Sequence, residues 1–461
     1  MRLHAASKAI TITVALTIFI TLPAMLRAAP WQADKVTSGS VPIMTSRQYQ
    51  EEVQRKLEAI PDKDPAETDP ITVDSPNSDP PQVPAEAAQE TLDDGELPRE
   101  LTDRERERKN ALSKCLAIYY TRQVDAEVLR PWSIMHGLIG YGEETLIIYR
   151  GRRYDATEYL CANGIGDDRR ILYAEDGKLR TRMGIGVQGH EAQLLAMLAQ
   201  ANVPHSRPLT ADGQDFTVAD LVQTEMESCR SDSELTFKLI GLAHYLQSDK
   251  VWENAAGEEW SLERLLKEEL AQPVDDGACG GTHRLMALSY ALAQRKAEGK
   301  PIDGHWYRAE RFISDFQAYS WKFQHREGSF STGWFKEKKF SGEVEKRLYT
   351  TGHILEWLVF SLPEEDLKDP RIERTVDFLL NLMLSTPNYD LAVGPRGHAL
   401  HALRMYEEKV FGKSDYTRFM NNKRLVNNNP QNGGGTSKPD QKSGDVRLFP
   451  AGFRRGKFNR R

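Results

Sequence analysis

The sequence predicts an all-α fold in which about five or six helical hairpins close into a ring, an α/α toroid, over residues 106–411. Three observations predict it: an apolar helix headed by histidine that recurs along the chain, amphipathic helices between its copies, and charged polar segments on both sides. With 461 residues and a mean hydropathy of −0.57, the chain is too polar to be folded throughout.

Four segments share a small residue, a histidine and then an apolar run with a leucine five positions after the histidine. The histidines are His190, His283, His353 and His398. A weaker fifth copy has Glu234 in the histidine position. The five positions are separated by 44, 49, 70 and 45 residues, which is typical of a helical-hairpin repeat whose units bury their apolar faces against one another.

Amphipathic stretches lie between these copies and complete the hairpins. They are Val218–Met226, Leu262–Leu270, Tyr307–Phe323 and Arg371–Leu384. Apolar helices paired with amphipathic ones suit an inner and an outer ring, and a closed ring is favoured because Trp357 and its neighbours need burial on several sides. Before the repeats, strand-like runs around turn sequences predict small β-hairpins at 145–182.

The two ends of the chain differ from this region. Residues 1–33 contain the uncharged stretch Ala9–Leu26 after a basic start, which predicts a cleaved signal peptide or an uncleaved anchor; both place the rest outside the cytoplasm, as a periplasmic, secreted or membrane-anchored protein. Residues 34–105, rich in proline with net charge −11, predict a disordered acidic linker. Residues 412–461, with net charge +9, predict a disordered basic tail.

The distribution of charge along the chain also gives information about binding partners. The basic tail either contacts an acidic envelope polymer or lipid, or it only solvates the chain end. The net charge of the whole chain is −6, so composition provides no argument for a specific nucleic-acid partner. The ligand of the folded region stays unknown at this point.

One segment resembles a known repeat. Gln324-His-Arg-Glu-Gly328-Ser-Phe330 looks like the Gln-x3-Gly-x-Trp repeat of the terpenoid cyclase and protein prenyltransferase toroids, with Phe330 in place of tryptophan. In that superfamily the repeat follows a helix and ties adjacent hairpins together. The resemblance covers about 185–410 and implies a toroid; it leaves the activity unassigned.

The repeated histidines are the first candidates for chemistry. We expect each just inside the start of an inner helix, where the macrodipole disfavours imidazolium and leaves a neutral ring that can act as a base or metal ligand. If the inner helices run parallel, four rings converge on one rim: His190, His283, His353 and His398. The alternative is that each histidine packs only within its own repeat.

The residues that follow His353 give a further indication of chemistry. Glu356 follows three residues later and so shares its helix face. The sequence Gly-His353-x-x-Glu356-Trp resembles a motif of the sugar 2-epimerase and isomerase barrels, where the histidine performs acid–base chemistry on a sugar. By that resemblance His353 and Glu356 are catalytic candidates, together with the other repeat histidines.

Metal-type ligands are concentrated between Asp275 and His283. Prenyltransferase β subunits bind zinc through an aspartate and a cysteine at one inner helix and a histidine at a later one. That resemblance implies Asp276, Cys279 and His353 as zinc ligands, although this chain has Asp-x-x-Cys where the family has Asp-x-Cys.

A disulfide is the competing interpretation of Cys279. Cys229 and Cys279 precede neighbouring repeat starts by similar distances, which favours a bridge between them and a second bridge between Cys115 and Cys161. Four cysteines allow three pairings, so the spacing alone does not decide.

Two classes of function remain open. In one, the toroid cavity is the site of an enzyme that acts on an extracytoplasmic carbohydrate or lipid. In the other, the toroid is a non-catalytic binding or scaffold module at the cell envelope. The chain has no Gly-rich phosphate loop, Gly-x-Ser-x-Gly elbow or His-Glu-x-x-His helix, so no reaction is named from motifs.

Overall fold

The computed structural model describes residues 100–386, 390–414 and 416. The predicted signal or anchor, nearly all of the acidic linker and nearly all of the basic tail lie outside these residues. Within them the protein is mostly helical with a few small sheets, as the sequence predicts. No helix of this part is long and apolar enough to span a membrane.

Twelve α-helices are formed by the described residues. Their bounds are α1 Asp103–Tyr120, α2 Pro131–Tyr141, α3 Ala156–Cys161, α4 Gln193–Gln200, α5 Val218–Glu227, α6 Thr236–Tyr245, α7 Leu262–Leu270, α8 Thr282–Ala297, α9 Gly304–Ser320, α10 Val344–Ser361, α11 Pro370–Ser385 and α12 Val393–Phe411. The four predicted amphipathic stretches correspond to α5, α7, α9 and α11, with shifts of a few residues at the ends.

Nine short strands accompany the helices. They are β1 Val124–Asp125, β2 Leu146–Tyr149, β3 Arg152–Asp155, β4 Leu172–Glu175, β5 Lys178–Thr181, β6 Pro208–Ala211, β7 Gln214–Thr217, β8 Val251–Glu253 and β9 Glu259–Ser261. The pairs β2–β3, β4–β5, β6–β7 and β8–β9 are antiparallel hairpins, and β1 adds to β2 in parallel. The two hairpins predicted in 145–182 are therefore confirmed, and two more follow.

Three of these hairpins lead directly into a helix, and the last strand residue serves as its N-cap. The Asp155 side chain accepts a hydrogen bond from the Glu158 amide at 2.7 Å, and Ser261 accepts one from the Arg264 amide at 3.1 Å. Thr217 forms a reciprocal capping box with Asp220. Each cap satisfies amides that have no partner within the helix, so a hairpin and the following helix form one unit.

Six helices make a cyclic series of contacts. In the order α2, α4, α6, α8, α10 and α12, each packs against the next, and α12 packs against α2. Five further helices contact this series: α1 packs on α12, α5 on α6, α7 on α6 and α8, α9 on α8, and α11 on α10. Most of the repeat segments lie in the helices of this series. Because each segment is an apolar run, these helices are apolar on several sides.

The segment that resembles the toroid repeat connects the end of α9 to α11. The Gln324 side-chain amide donates to the Arg371 carbonyl and to the Thr375 hydroxyl, both at 2.8 Å. Gly328 has φ +104°, and a Cβ there would lie 2.2 Å from the Arg374 carbonyl oxygen, so only glycine allows this close approach. The turn after α9 is thereby attached to the first turns of α11.

Trp357 shows how the apolar repeats are packed. Its side chain is fully buried in α10, and its indole nitrogen donates to the Ser289 hydroxyl of α8 at 3.1 Å. Leu358 and Val359 are also fully buried, whereas Phe360 is partly buried and stacks on Tyr290. Burial of the tryptophan with its polar nitrogen satisfied explains its place at a contact between two helices of the series.

Candidate functional site: a buried histidine cluster

Four buried histidines, here called the histidine cluster, come from four helices of the cyclic series. They are His136 of α2, His283 of α8, His353 of α10 and His398 of α12. The ring centroids of His353 and His398 lie 3.8 Å apart, and that of His283 lies 5.3 Å from His353 and 5.1 Å from His398. The His136 ring lies 5.7 Å from His398. The structure thus brings together three of the four predicted histidines.

His190 lies beside this cluster. It precedes α4, and its ring stacks on Phe237 at 4.9 Å, while Phe237 in turn lies 5.1 Å from His283. Its Nδ1 lies 2.7 Å from the carboxylate of Glu234, the residue in the histidine position of the weaker repeat. His190 and Glu234 therefore form a separate, one-third exposed pair at the edge of the cluster.

The expected position at helix starts holds only for His283, the second residue of α8. His353 lies well inside α10, which begins at Val344, and His398 lies more than one turn into α12. Burial, not the macrodipole, is what lowers the pKa values of these rings: that of His136 falls to about 3, and those of His283 and His353 fall well below 6.5. The rings of His136, His283 and His353 are consequently neutral near pH 7.

Glu356 holds two histidines of α12 at once. One carboxylate oxygen lies 2.7 Å from Nδ1 of His398, and the other lies 2.7 Å from Nδ1 of His401. Although burial alone would raise the pKa of Glu356, the two histidines hold it well below its usual range. An ionised carboxylate only accepts hydrogen bonds, so both Nδ1 atoms carry the proton. The Nε2 atom of His398 is buried and has no hydrogen-bond partner among the described residues.

His353 has the same tautomer for a different reason. Its Nδ1 lies 2.8 Å from the Tyr349 carbonyl oxygen, which can only accept, so Nε2 carries the lone pair. The Tyr349 hydroxyl lies 3.1 Å from Sγ of Cys279. Burial raises the pKa of the Cys279 thiol to about 12, so the thiol is protonated unless a cation is bound to it.

Cys279, His283 and His353 form a group with the geometry of a metal site. One ligand atom from each lies within 4.8 Å of the others. Cys279 reaches this position from a tight turn before α8, in which Cys279, Gly280 and Gly281 all have positive φ. The loop therefore directs the thiol toward rings that come from two different helices.

The predicted ligand Asp276 is not part of this group. Its side chain is 70% exposed, and its carboxylate faces the Lys336 ammonium at 3.7 Å. His283 takes its place, because the turn between Asp276 and Cys279 points the carboxylate outward while the first turn of α8 points the imidazole inward. The ligand set implied by the resemblance is corrected accordingly, with Cys279 and His353 retained.

Neither predicted disulfide is formed. All four cysteines are free thiols in the structure. Cys229 follows α5, and its thiol donates to the Glu225 carbonyl oxygen at 3.4 Å, whereas the Cys279 thiol is directed toward Tyr349. Similar distances from two repeat starts do not place two thiols together, because Cys229 is hydrogen-bonded to the last turn of α5 whereas Cys279 lies in the turn before α8.

Three residues of the histidine cluster and its surroundings were not predicted from the sequence. His136 lacks the small residue before it and has Tyr141 instead of leucine five positions later, so it escapes the repeat pattern. Trp132 stacks on His136 with centroids 3.7 Å apart. His401 lies three residues after His398 in α12, and the repeat pattern did not single it out. The apolar run around Met135 and Leu138 was the available signal for α2.

Comparison with protein-family models, curated protein sequences and solved structures finds no match to this chain. Its function is therefore inferred from the chemistry of the site.

Proposed function

We propose that this protein is an extracytoplasmic α/α-toroid enzyme that binds a zinc-class metal ion at Cys279, His283 and His353 and acts on a carbohydrate or lipid. The observation that carries the proposal is the group of one thiol and two imidazoles whose ligand atoms lie within 4.8 Å of one another. Thiolate and imidazole are preferred zinc donors, and three protein ligands leave one position for water or substrate, as in catalytic zinc sites.

The surroundings of these residues fit such an ion. Histidines that bind metals usually donate the other ring N–H to a carbonyl or carboxylate, which fixes the tautomer and the ring orientation. His353 does this toward the Tyr349 carbonyl. The Tyr349 hydroxyl, 3.1 Å from Sγ, is placed to donate to a Cys279 thiolate. Since all four cysteines are free, Cys279 is available as a ligand.

His398 is the proposed general base. When bound, a zinc-class ion supplies Lewis acidity and lowers the pKa of a coordinated water. The His398 ring packs against His353 and lies near His283, so it adjoins two of the proposed ligands. Its Nε2 atom accepts a proton while Glu356, bonded to Nδ1, stabilises the imidazolium that results. Glu356 is thus a positioning residue.

Two observations support the toroid. The six-helix series of contacts returns from α12 to α2, which an open solenoid does not do. Gln324 attaches the turn after α9 to α11, the role that the resembled repeat has in toroids. The extracytoplasmic location rests on the predicted export segment 1–33.

A second candidate is a non-catalytic module in which the metal only stabilises the fold. The burial of the cluster favours it: His353 and His398 are each 2% exposed. If the unpartnered Nε2 of His398 supplied a fourth ligand, the site would have four protein donors, which is typical of structural zinc.

Both candidate functions require a bound metal ion, and metal analysis of the full-length protein tests this requirement. We expect one zinc per chain, and less than a tenth of that in Cys279→Ser and His353→Ala. Cys229→Ala and His305→Gln remove a thiol and an imidazole away from the cluster and should retain the metal. Absence of zinc after reconstitution of the wild type, or full retention in both site variants, would contradict the proposal.

Cobalt substitution separates the enzyme from the structural module. A Co²⁺ site with three protein ligands should show thiolate charge-transfer absorption and change its visible spectrum when azide occupies the open position. A four-ligand site should show the same charge transfer but no response to azide. In His398→Gln the enzyme candidate predicts an unchanged cobalt stoichiometry, whereas the structural candidate predicts a weaker site.

A further inference from the structure

A basic cleft lies at the β4–β5 hairpin, next to the end of α2 that carries Trp132. Its volume is about 690 Å³, within the range of small-molecule sites. The cleft is lined by Ile165, Asp168, Arg169, Arg170, Tyr173, Thr181, Arg182, Met183 and Val187. Three guanidinium groups and one carboxylate therefore face one space, with a net charge of +2 (three arginines less one aspartate).

None of the three arginines forms a salt bridge with a carboxylate of the described residues. Arg169 donates to the Ile185 carbonyl at 3.2 Å, Arg170 donates to the Asn163 carbonyl, and the Arg182 guanidinium lies 4.7 Å from the Tyr173 ring centroid. A guanidinium has five N–H donors, so each group is held in position with most of its donors unused.

The cleft is joined to the histidine cluster through a short series of contacts. Val187 lines the cleft, and the carbonyl of the preceding Gly186 accepts a hydrogen bond from the Trp132 amide at 3.1 Å. The Trp132 ring covers His136, which borders His398. The cleft is therefore linked to the cluster through Gly186, Trp132 and His136.

We infer that this cleft binds the phosphate group of the substrate, and this inference rests on the proposed function because it names the substrate class for that site. Arginine forks match phosphate oxygens, and a charge of +2 complements a dianionic phosphate better than a single carboxylate. Met183 and Ile185 are 50% and 75% exposed beside the arginines. Exposed apolar side chains next to guanidinium groups favour a lipid phosphate over a free phosphate ester.

Pyrophosphate binding to the full-length protein, measured by titration calorimetry at fixed ionic strength, tests the cleft. We expect Arg169→Gln/Arg182→Gln to weaken binding at least about 10-fold, since charge-assisted bonds to two arginines are lost. Arg311→Gln, an exposed arginine on α9, should leave it unchanged. The basic tail, with net charge +9, contributes equally to all three proteins and so cancels in the comparison.

Co-sedimentation with phosphatidylglycerol vesicles, against phosphatidylcholine vesicles, identifies the source of the phosphate. Binding that depends on Arg169 and Arg182 supports a lipid phosphate, and binding of pyrophosphate alone supports a soluble phosphate ester. Binding of neither probe, or equal binding by the double variant, would overturn the inference. Cys279→Ser should bind both probes like the wild type, so loss of the metal site and failure of the cleft give different results.

Discussion

Glu356 links two helices of the series, and its replacement by glutamine is the most informative perturbation of the cluster. The carboxylate is 4% exposed and accepts one hydrogen bond from each of His398 and His401, both at 2.7 Å. Glutamine keeps one acceptor and turns its NH2 group toward the other imidazole N–H. One charge-assisted bond is lost, the other becomes neutral, and one buried donor loses its partner.

The expected loss of unfolding free energy follows from these contacts. Hydrogen bonds to a charged group contribute about 1.5–3 kcal/mol each, and a buried donor without a partner costs about 1–3 kcal/mol. Allowing for relaxation of His401, we expect Glu356→Gln to reduce the free energy of unfolding by about 2–4 kcal/mol. The assay is urea unfolding at pH 7.5 followed by circular dichroism and tryptophan fluorescence.

Glu310→Gln is the matched control for this prediction. Glu310 also accepts at 2.7 Å, from the Lys296 ammonium, but its side chain is 37% exposed and that of Lys296 is 51% exposed. Exposed pairs contribute about 0–1 kcal/mol, so this variant should change stability little. A loss below about 0.5 kcal/mol in Glu356→Gln, or equal losses in the two variants, would refute the assignment of Glu356 as the buried centre of the cluster.

Two other predictions concern pH and the turn before α8. The folded-state pKa of His136 is about 3 against 6.5 for the ordinary group, so below pH 6.5 the unfolded chain takes up the proton first and stability falls with falling pH. Between pH 7.5 and 5.5 the wild type should lose unfolding free energy, and His136→Phe should lose about 1.4 kcal/mol less, as measured by urea titrations. The same pH dependence of the unfolding free energy in both proteins would contradict this. A Cβ at Gly281, with φ +88°, would lie 2.0 Å from the Val274 carbonyl oxygen, so Gly281→Ala should lower the free energy of unfolding by about 2 kcal/mol or more. Gly299→Ala, at φ +68° with open space around it, should cost only about 1 kcal/mol, and similar losses in both variants would show that the clash is absent.

Local signals predicted much of the secondary structure. The Asp-Gly turn between β4 and β5 and the amphipathic period of Leu262–Leu270 depend only on neighbouring residues, and both elements are formed. The hairpins β6–β7 and β8–β9 were missed, although Asp212-Gly213 offered the same turn signal for the first of them.

The site was predictable only as a set of candidate residues. The repeat pattern identified His283, His353 and His398, which lie in α8, α10 and α12. It failed for His136, whose flanking residues depart from the pattern, and it included His190, which Phe237 separates from the others.

By itself, the sequence determined a helical repeat, its histidines and the charged segments at its ends, because periodicity and composition are properties of neighbouring residues. Tertiary structure decided which side chains meet. The exposure of Asp276, the shared carboxylate of Glu356 and the approach of Cys279 to His353 depend on how helices distant in the chain pack and on one left-handed turn. Burial lowers the pKa values of His283 and His353, and the extent of burial follows from packing between helices, which no local pattern specifies.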